Sequence, residues 1–512
     1  MKGRVLVLDI LEEIKKYAES DKELVAVKSL DESITYKELH EFSDKLAYYL
    51  EENYKDNKSP IVVYGHKSPF MIVCFLACVK SKRAYCPIDI SMPLARVKTI
   101  IDMVNPPVIL AVEELSNEFG KILELSKIKN IIKETDKKIN PNNYVKDNDI
   151  FYIIFTSGST GKPKGVQITK ENLNNYLNWS VNLGSKAEEK RNKRFLNQAP
   201  FSFDLSVMDL YTSLATGGTL YTMSKAIQND YSKLMEFLIE TNPNIWVSTP
   251  SFADVCLLDK KFNGENIPSL KLFLFCGETL PKNTAKNLME RFKNAKVINT
   301  YGPTESTVAV TDILVTEELL KEEGALPVGK AKEGSFIEIW DENGNILKEN
   351  EKGEIIIIGN TVSAGYFNSP EITKKSFFTL ERDGKKYKGY HTGDSGYIKS
   401  GQLYYCGRMD LQIKLHGYRI EIEDIENNIL KLPEITSTVV ITNVKDGKVK
   451  SLTAFVSTEE HLENTLANSK MIKTKLKEHI PDYMVPKKIV FIDKIPMTAN
   501  GKADRKFLGG LL

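Results

Sequence analysis

Short β-rich runs alternate with helix-forming runs through the middle of this chain, and that alternation constrains the fold more than any other feature. YIIF at 152–155, NIWVST at 244–249, LKLFLF at 270–275 and KVINT at 296–300 read as buried strands. Between the last two, PKNTAKNLMERF at 281–292 places proline at the first helical position and continues in helix formers. A strand, a helix and a second strand in that order form a βαβ unit, which joins parallel strands by a right-handed crossover. The predicted class is therefore α/β with a parallel sheet. Beyond about residue 408 the texture changes. LQIKLH, STVVIT, KSLTAFV and KKIVFI mix there with helices expected over about 423–431 and 470–479, which predicts a small α+β domain of about 100 residues. The boundary is expected near GRMD, 407–410.

With 512 residues the chain is long enough for several buried cores. Lys+Arg of 70 against Asp+Glu of 68 leaves no charge excess that would attract nucleic acid or a membrane surface. The first residues, MKGRVLVLDILEEIKKYAES, begin like a secretory signal, but Asp9, Glu12 and Glu13 interrupt the apolar stretch. Leu8, Leu11 and Ile14 suit an amphipathic surface helix instead. The longest apolar run, FMIVCFLACV at 70–79, is about half of the ~20 residues that a membrane span needs. Six scattered cysteines (Cys74, Cys78, Cys86, Cys256, Cys276, Cys406) show no CxxC, and the six histidines form no metal-like cluster. An unprocessed cytoplasmic protein with core cysteines is the expectation.

Five segments carry the chemistry. TSGSTGKPKG, 156–165, directly follows a strand and is rich in hydroxyls and exposed N–H donors, with Lys162 and Lys164 adding positive charge. Such a loop can wrap a polyphosphate. It is not a Walker A loop, since Lys162 is followed by Pro163. NTYGPTE, 299–305, lies at the end of another strand. It offers the Tyr301 ring, a tight Gly302–Pro303 turn, the Thr304 hydroxyl and a Glu305 carboxylate suited to Mg2+. Cys276-Gly277-Glu278 also follows a strand, and the three loops are expected to converge on one sheet edge, where open α/β sheets bind ligands. HTGDSGY, 391–397, contains Asp394, and YCGRMDLQIKLHGYRIEIEDIE, 405–426, spans the expected boundary. In PMTANGK, 496–502, the Asn500–Gly501 turn presents Lys502; alone, such a lysine would be read as merely solvated.

Together, and in this order, these segments resemble the adenylate-forming superfamily, which includes acyl-CoA synthetases, luciferases and nonribosomal-peptide adenylation domains. The resemblance spans essentially the whole chain. It implies an adenylation core over 1–408 and a mobile lid domain over 409–512. It implies that Thr156, Ser157, Gly158, Ser159, Thr160 and Lys164 hold ATP phosphates, and that Asn299, Thr300, Tyr301, Gly302, Pro303 and Thr304 line the nucleotide site. Asp394 would bind the ribose hydroxyls, since a carboxylate accepts two hydrogen bonds from a cis-diol. Tyr405, Cys406, Gly407 and Arg408 would contact the nucleotide, Asp410 would be the hinge, Glu305 would hold Mg2+, and Lys502 would be the catalytic lysine. His416 and Arg419 are expected to be structural or interface residues, and His391 is not expected to be catalytic.

NQAPFSFDLSVMDLY, 197–211, places Asp204 where amino-acid-activating members of the superfamily hold the substrate ammonium. The bland alternative is a helix N-cap. FLFCGETLP, 273–281, and STPSFADVCL, 248–257, resemble the D-alanine–D-alanyl carrier protein ligases. That resemblance implies a methyl-sized pocket lined by Cys276 and Val308, an aminoacyl-AMP intermediate, and transfer to the phosphopantetheine of a carrier protein that supplies D-alanine for teichoic acids. No carrier domain follows Leu512, so the thiol is expected on a separate partner. The D-preference enters through the resemblance alone. Rival readings are an acyl-CoA synthetase of a small acid, an adenylation enzyme for another small amino acid, and a nucleotide-binding regulator without catalysis.

Overall fold

The structure, a computed structural model, describes residues 8–157, 162–382, 384–409, 412–445, 448–458, 462–497 and 503–512. Each β-rich run of the central chain is a strand: Ile150–Thr156, Ile245–Ser248, Leu272–Phe275 and Lys296–Tyr301. The last two pair in parallel around the helix Lys282–Arg291. Pro281 is the N-cap of that helix, one position ahead of the expected first turn; its ψ of 145° is extended, so helical geometry starts only at Lys282.

A nine-stranded sheet runs in the order Lys330–Ala331, Thr311–Leu314, Lys296–Tyr301, Leu272–Phe275, Ile245–Ser248, Arg194–Asn197, Thr219–Thr222, Val25–Lys28, Ser33–Thr35. From Lys296–Tyr301 to Val25–Lys28 all neighbours are parallel, and the edge pairs are antiparallel. A six-stranded sheet orders Ile122–Glu124, Ile109–Ala111, Ile61–Tyr64, Tyr85–Ile88, Ile150–Thr156, Lys164–Thr169. The strands of both sheets that are buried on two faces read as continuous apolar runs, IVVY and LFLF among them. An antiparallel five-stranded sheet follows, with the long strand Lys385–Lys399 at its centre.

Contacts divide the chain into two compact units: 1–89, 104–154 and 165–407 in the first, and 90–103, 155–164 and 408–512 in the second. In the first, the helix Pro69–Lys80 is buried along its whole length, Cys74 and Cys78 included, and Ser68 caps it. The run FMIVCFLACV is thus a core helix. No helix among the described residues is long and apolar enough to cross a membrane. Near the amino end, the acidic residues that break the apolar stretch are a helix start. Asp9 accepts hydrogen bonds from the Leu11 and Glu12 N–H groups at the head of Ile10–Ser20, and Glu12 and Glu13 follow in its first turn.

In the second unit, the expected strands are Gln412–Leu415, Ile435–Lys445, Lys448–Thr458 and Lys488–Phe491. The helix Ile422–Ile429 packs Ile425 and Ile429 against Val440, Leu452 and Leu476 in a separate apolar core. The next helix, Leu466–Leu476, begins four residues before the expected 470, because Thr465 caps it by accepting from the Asn468 N–H.

Candidate active site

The parallel strands of the nine-stranded sheet place three of the singled-out segments at carboxyl ends along one edge. Cys276-Gly277-Glu278 follows Leu272–Phe275, Gly302 to Glu305 follow Lys296–Tyr301, and the segment leading to Asp204 follows Arg194–Asn197. The Thr156 loop does not share this edge, since it follows a strand of the six-stranded sheet. A motif reveals that it follows a strand but not which sheet that strand joins, because pairing is non-local.

At the nucleotide motif most side chains are held by neighbours. Asn299 Nδ2 donates to the Pro327 carbonyl at 2.9 Å, and Thr300 Oγ1 donates to the Phe275 carbonyl at 2.8 Å. The Tyr301 hydroxyl donates to Asp394 Oδ2 at 2.6 Å, which ties the TYGPTE turn to the HTGD strand. The Tyr301 ring lies 5.8 Å from that of Tyr405, inclined by 37°. Gly302 is required sterically: a Cβ there would come 2.5 Å from the Ala309 Cα. Asp394 is further fixed by its own N–H donating to Thr392 Oγ1 at 2.9 Å. Glu305 is fully buried, and Glu305 Oε1 accepts from the Tyr366 hydroxyl at 2.7 Å. Among the described residues no group of three or more His, Cys, Asp or Glu is arranged to hold a metal ion. Thr304 and Glu305 are hard oxygen donors, the chemistry that suits Mg2+. His391 Nδ1 lies 3.1 Å from Glu354, whose other oxygen accepts from the Gly393 N–H, a structural arrangement.

Of the residues expected around the amino acid, Cys276 and Val308 are in contact, and Asp204 and Cys276 both act on the same buried hydroxyl, that of Tyr176. Cys276 Sγ donates to the Val308 carbonyl at 3.7 Å. Thr307 and Val308 both adopt the left-handed region, at φ 60° and 69°; for L residues this costs roughly 1–2 kcal/mol each. Such strain collects at functional sites. Asp204 is buried at the N-cap of Leu205–Thr216, yet its side chain makes no capping bond. Its φ of −62° and ψ of −23° are already helical, not the extended geometry usual for a capping residue. Burial raises the Tyr176 hydroxyl well above its usual range, and the nearby Cys276, Tyr152, Asp204 and Asp209 raise it further. The buried hydroxyls of Tyr152 and Tyr176 have no hydrogen-bond partner among the described residues, a state that typically costs about 1–3 kcal/mol per group.

Sequence reasoning missed Tyr152, Tyr176, Lys67 and Asp209. Burial pulls Lys67 down to about 7 against the opposing charges of Asp209 and Asp89. Burial pushes Asp209 up to about 8, opposed first by the Lys67 charge and then by a hydrogen bond from Asn197. No local signal marks them: each is a single residue whose partners come from another strand or helix.

Thr156, Ser157, Lys164 and Arg408 belong to the second unit. There Ser157 Oγ donates to the Arg419 carbonyl at 2.7 Å and accepts from the Glu421 N–H at 3.2 Å, while Lys164 Nζ lies 3.8 Å from the Glu421 carboxylate. Arg419 Nε donates to Gln412 at 2.6 Å. His416 and Gly417, at φ 52° and 84°, form the two-residue turn between Gln412–Leu415 and Tyr418–Glu421. Tyr405, Cys406 and Gly407 end the first unit, with Cys406 exposed and Gly407 at φ 106°. Gly158, Ser159, Thr160, Asp410 and Lys502 lie outside the described residues.

The family model described as AMP-binding enzyme matches residues 14–367, and that of the AMP-binding enzyme C-terminal domain matches 424–502. A D-alanine--D-alanyl carrier protein ligase of Listeria welshimeri is 46% identical over 511 residues, covering 98% of this chain and 99% of the relative. One of the same description from Bacillus cytotoxicus is 45% identical over 505 residues, with the same coverage. Among solved structures, an NRPS protein containing adenylation and PCP domains, bound to a vinylsulfonamide inhibitor, matches with a TM-score of 0.83 at 25% identity, covering 99% of this chain and 84% of that one. The Vibrio cholerae adenylation domain AlmE in complex with glycyl-adenosine-5'-phosphate matches in fold, with a TM-score of 0.79 at 21% identity over 100% of this chain and 99% of that one.

Proposed function

From the premise that this chain belongs to the AMP-binding enzymes and, within them, to the D-alanine–D-alanyl carrier protein ligases, we propose how its residues divide the work of activating D-alanine and passing it to a carrier thiol. The chain is an ATP-dependent adenylate-forming ligase. A carboxylate oxygen of D-alanine attacks the α-phosphorus of ATP, giving D-alanyl-AMP and pyrophosphate. The phosphopantetheine thiol of a separate carrier protein then attacks the acyl carbon, giving the thioester and AMP. The product supplies D-alanine for lipoteichoic and wall teichoic acids, and the reaction takes place in the cytoplasm.

Asp204 pairs with the substrate ammonium, while Cys276 and the Val308 backbone bound the space for its methyl group. The observation that supports this assignment is that Cys276 Sγ bonds the Val308 carbonyl while Cys276 and Asp204 both act on the buried Tyr176 hydroxyl. A buried carboxylate favours a substrate that brings an amine, because the ammonium adds an opposite charge at a poorly solvated site. Asp394 accepts from the ribose hydroxyls; the Tyr301 bond uses one of about four acceptor positions on that carboxylate. Asn299, Thr300, Tyr301, Gly302 and Pro303 line the nucleotide site, and Tyr405, Cys406, Gly407 and Arg408 contact the nucleotide. Thr156, Ser157, Gly158, Ser159, Thr160 and Lys164 hold the β- and γ-phosphates. Mg2+ at Thr304 and Glu305 would supply charge neutralisation for departing pyrophosphate. Lys502 bridges the substrate carboxylate and the α-phosphate. The domain 409–512 then rotates about Asp410, removing Lys502 so that the thiol can enter.

Intact-mass measurement of the carrier protein tests the whole sequence of steps. With D-alanine and ATP, the holo carrier is expected to gain one alanyl group and the apo carrier none. Equal labelling of the apo carrier, or formation of alanyl-CoA in preference to carrier thioester, would contradict the proposal.

A further inference from the structure

Lys67 follows the carboxyl end of the Ile61–Tyr64 strand in the six-stranded sheet, yet its amine is buried among residues that follow a strand of the nine-stranded sheet. Its backbone is left-handed, at φ 57°, a conformation disfavoured for an L side chain. The neighbouring residue holds the turn in place. His66 Nδ1 lies 2.6 Å from Asp89 Oδ2, and His66 Nε2 accepts the Lys225 N–H at 3.0 Å. Lys67 Nζ donates to the Asn197 side-chain oxygen, to the Ala199 carbonyl and, at 3.4 Å, to the Asn197 carbonyl. It also sits 5.1 Å from the centroid of the Phe201 ring, which packs edge-on against Phe75. Behind this contact, Asn197 Nδ2 donates to Asp209 Oδ1 at 2.8 Å, and Asp209 Oδ2 has no hydrogen-bond partner among the described residues.

One ammonium thus grips alternate residues of the segment NQAPF, and four residues later the same segment begins the helix that Asp204 heads. We infer that Lys67 is the positioning residue of the amino-acid recognition segment 197–204, holding it across the two sheets so that Asp204 meets the substrate ammonium. This rests on the assignment of Asp204 to that ammonium. Lys67 touches neither substrate nor nucleotide in this reading, and Asp209, behind Asn197, is the acidic group that favours the charged form of its amine.

The test compares Lys67→Met, the double variant Lys67→Met/Asp209→Asn, and Asp204→Asn in D-alanine-dependent pyrophosphate exchange, with thermal melting of each. Removing both buried charges together leaves no uncompensated ion, so the double variant is expected to melt closer to the wild type than Lys67→Met. Both Lys67 variants are expected to raise KM for D-alanine at least about tenfold, with KM for ATP within about twofold, the loss set by lost charge-assisted hydrogen bonds. A folded variant with unchanged KM for D-alanine, or one that loses only kcat, overturns the inference; so does failure of the double variant to fold. If Asp204→Asn itself leaves KM for D-alanine unchanged, the recognition reading fails. If Asp204→Asn raises it and Lys67→Met does not, the positioning inference alone fails.

Discussion

Lys502→Ala is expected to lower D-alanine-dependent pyrophosphate exchange by a hundredfold or more, on the order found when a preorganised charge-stabilising donor is removed. The reason is electrostatic. The substrate carboxylate and the ATP α-phosphate are both anions, and the first bond cannot form until they approach within bonding distance. A unit charge pair at 4 Å in an effective dielectric of about 20 interacts by roughly 4 kcal/mol. If a cation supplies that only as the anions meet, the rate gain is about a thousandfold. The second half-reaction has no such demand, because the mixed anhydride is already activated. Transfer from supplied D-alanyl-AMP to the carrier thiol should therefore stay within about threefold of wild type. Rapid-quench assays of the two halves check this, and equal losses in both would remove Lys502 from the role assigned to it.

Asp204→Asn is expected to cost about 2–5 kcal/mol in kcat/KM for D-alanine, the range for truncating one partner of a buried charge pair. That corresponds to roughly thirtyfold to several-thousandfold. The substitution keeps size and removes the charge. Because Asp204 makes no capping bond to Leu205–Thr216, the usual cap loss of about 1 kcal/mol does not confound the result. Discrimination against propionate should shrink, since the neutral amide no longer favours a substrate with an amine. Unchanged kcat/KM with a lowered melting temperature would make Asp204 a structural residue.

These residues differ in how visible they are in the amino-acid sequence. The TYGPTE and CGE segments announce themselves because strand-end loops with turn residues and exposed donors form a local pattern, and the structure sets them at adjacent parallel strand ends. The Thr156 loop is equally legible as a loop, but its sheet is not, since strand order depends on pairings over 60 or more residues such as Tyr85 with Tyr152. Helix starts follow local chemistry: Asp9 ahead of Ile10–Ser20 is plain in retrospect, while Thr465 was obscured by the weak apolar pattern of LANSKMIKTKL. Pocket-lining and core packing are one physical state for Cys276, which is buried and bonded to the Val308 carbonyl, so its local sequence leaves both readings open. Lys67 is the opposite extreme. Nothing in YGHKS distinguishes a solvated lysine from one whose left-handed backbone carries its amine into another sheet's loop.

In the proposed assignment, the buried carboxylate of Asp204 and the Cys276–Val308 wall select an alanine-sized amino acid for adenylation. Pyrophosphate exchange measured across D-alanine, L-alanine, glycine, D-serine, propionate and acetate tests it most directly. D-alanine is expected to have the highest kcat/KM, with glycine lower by about the 1–3 kcal/mol that one methyl-sized contact supplies, and propionate and acetate at background. Exchange supported by propionate as well as by D-alanine would contradict the account.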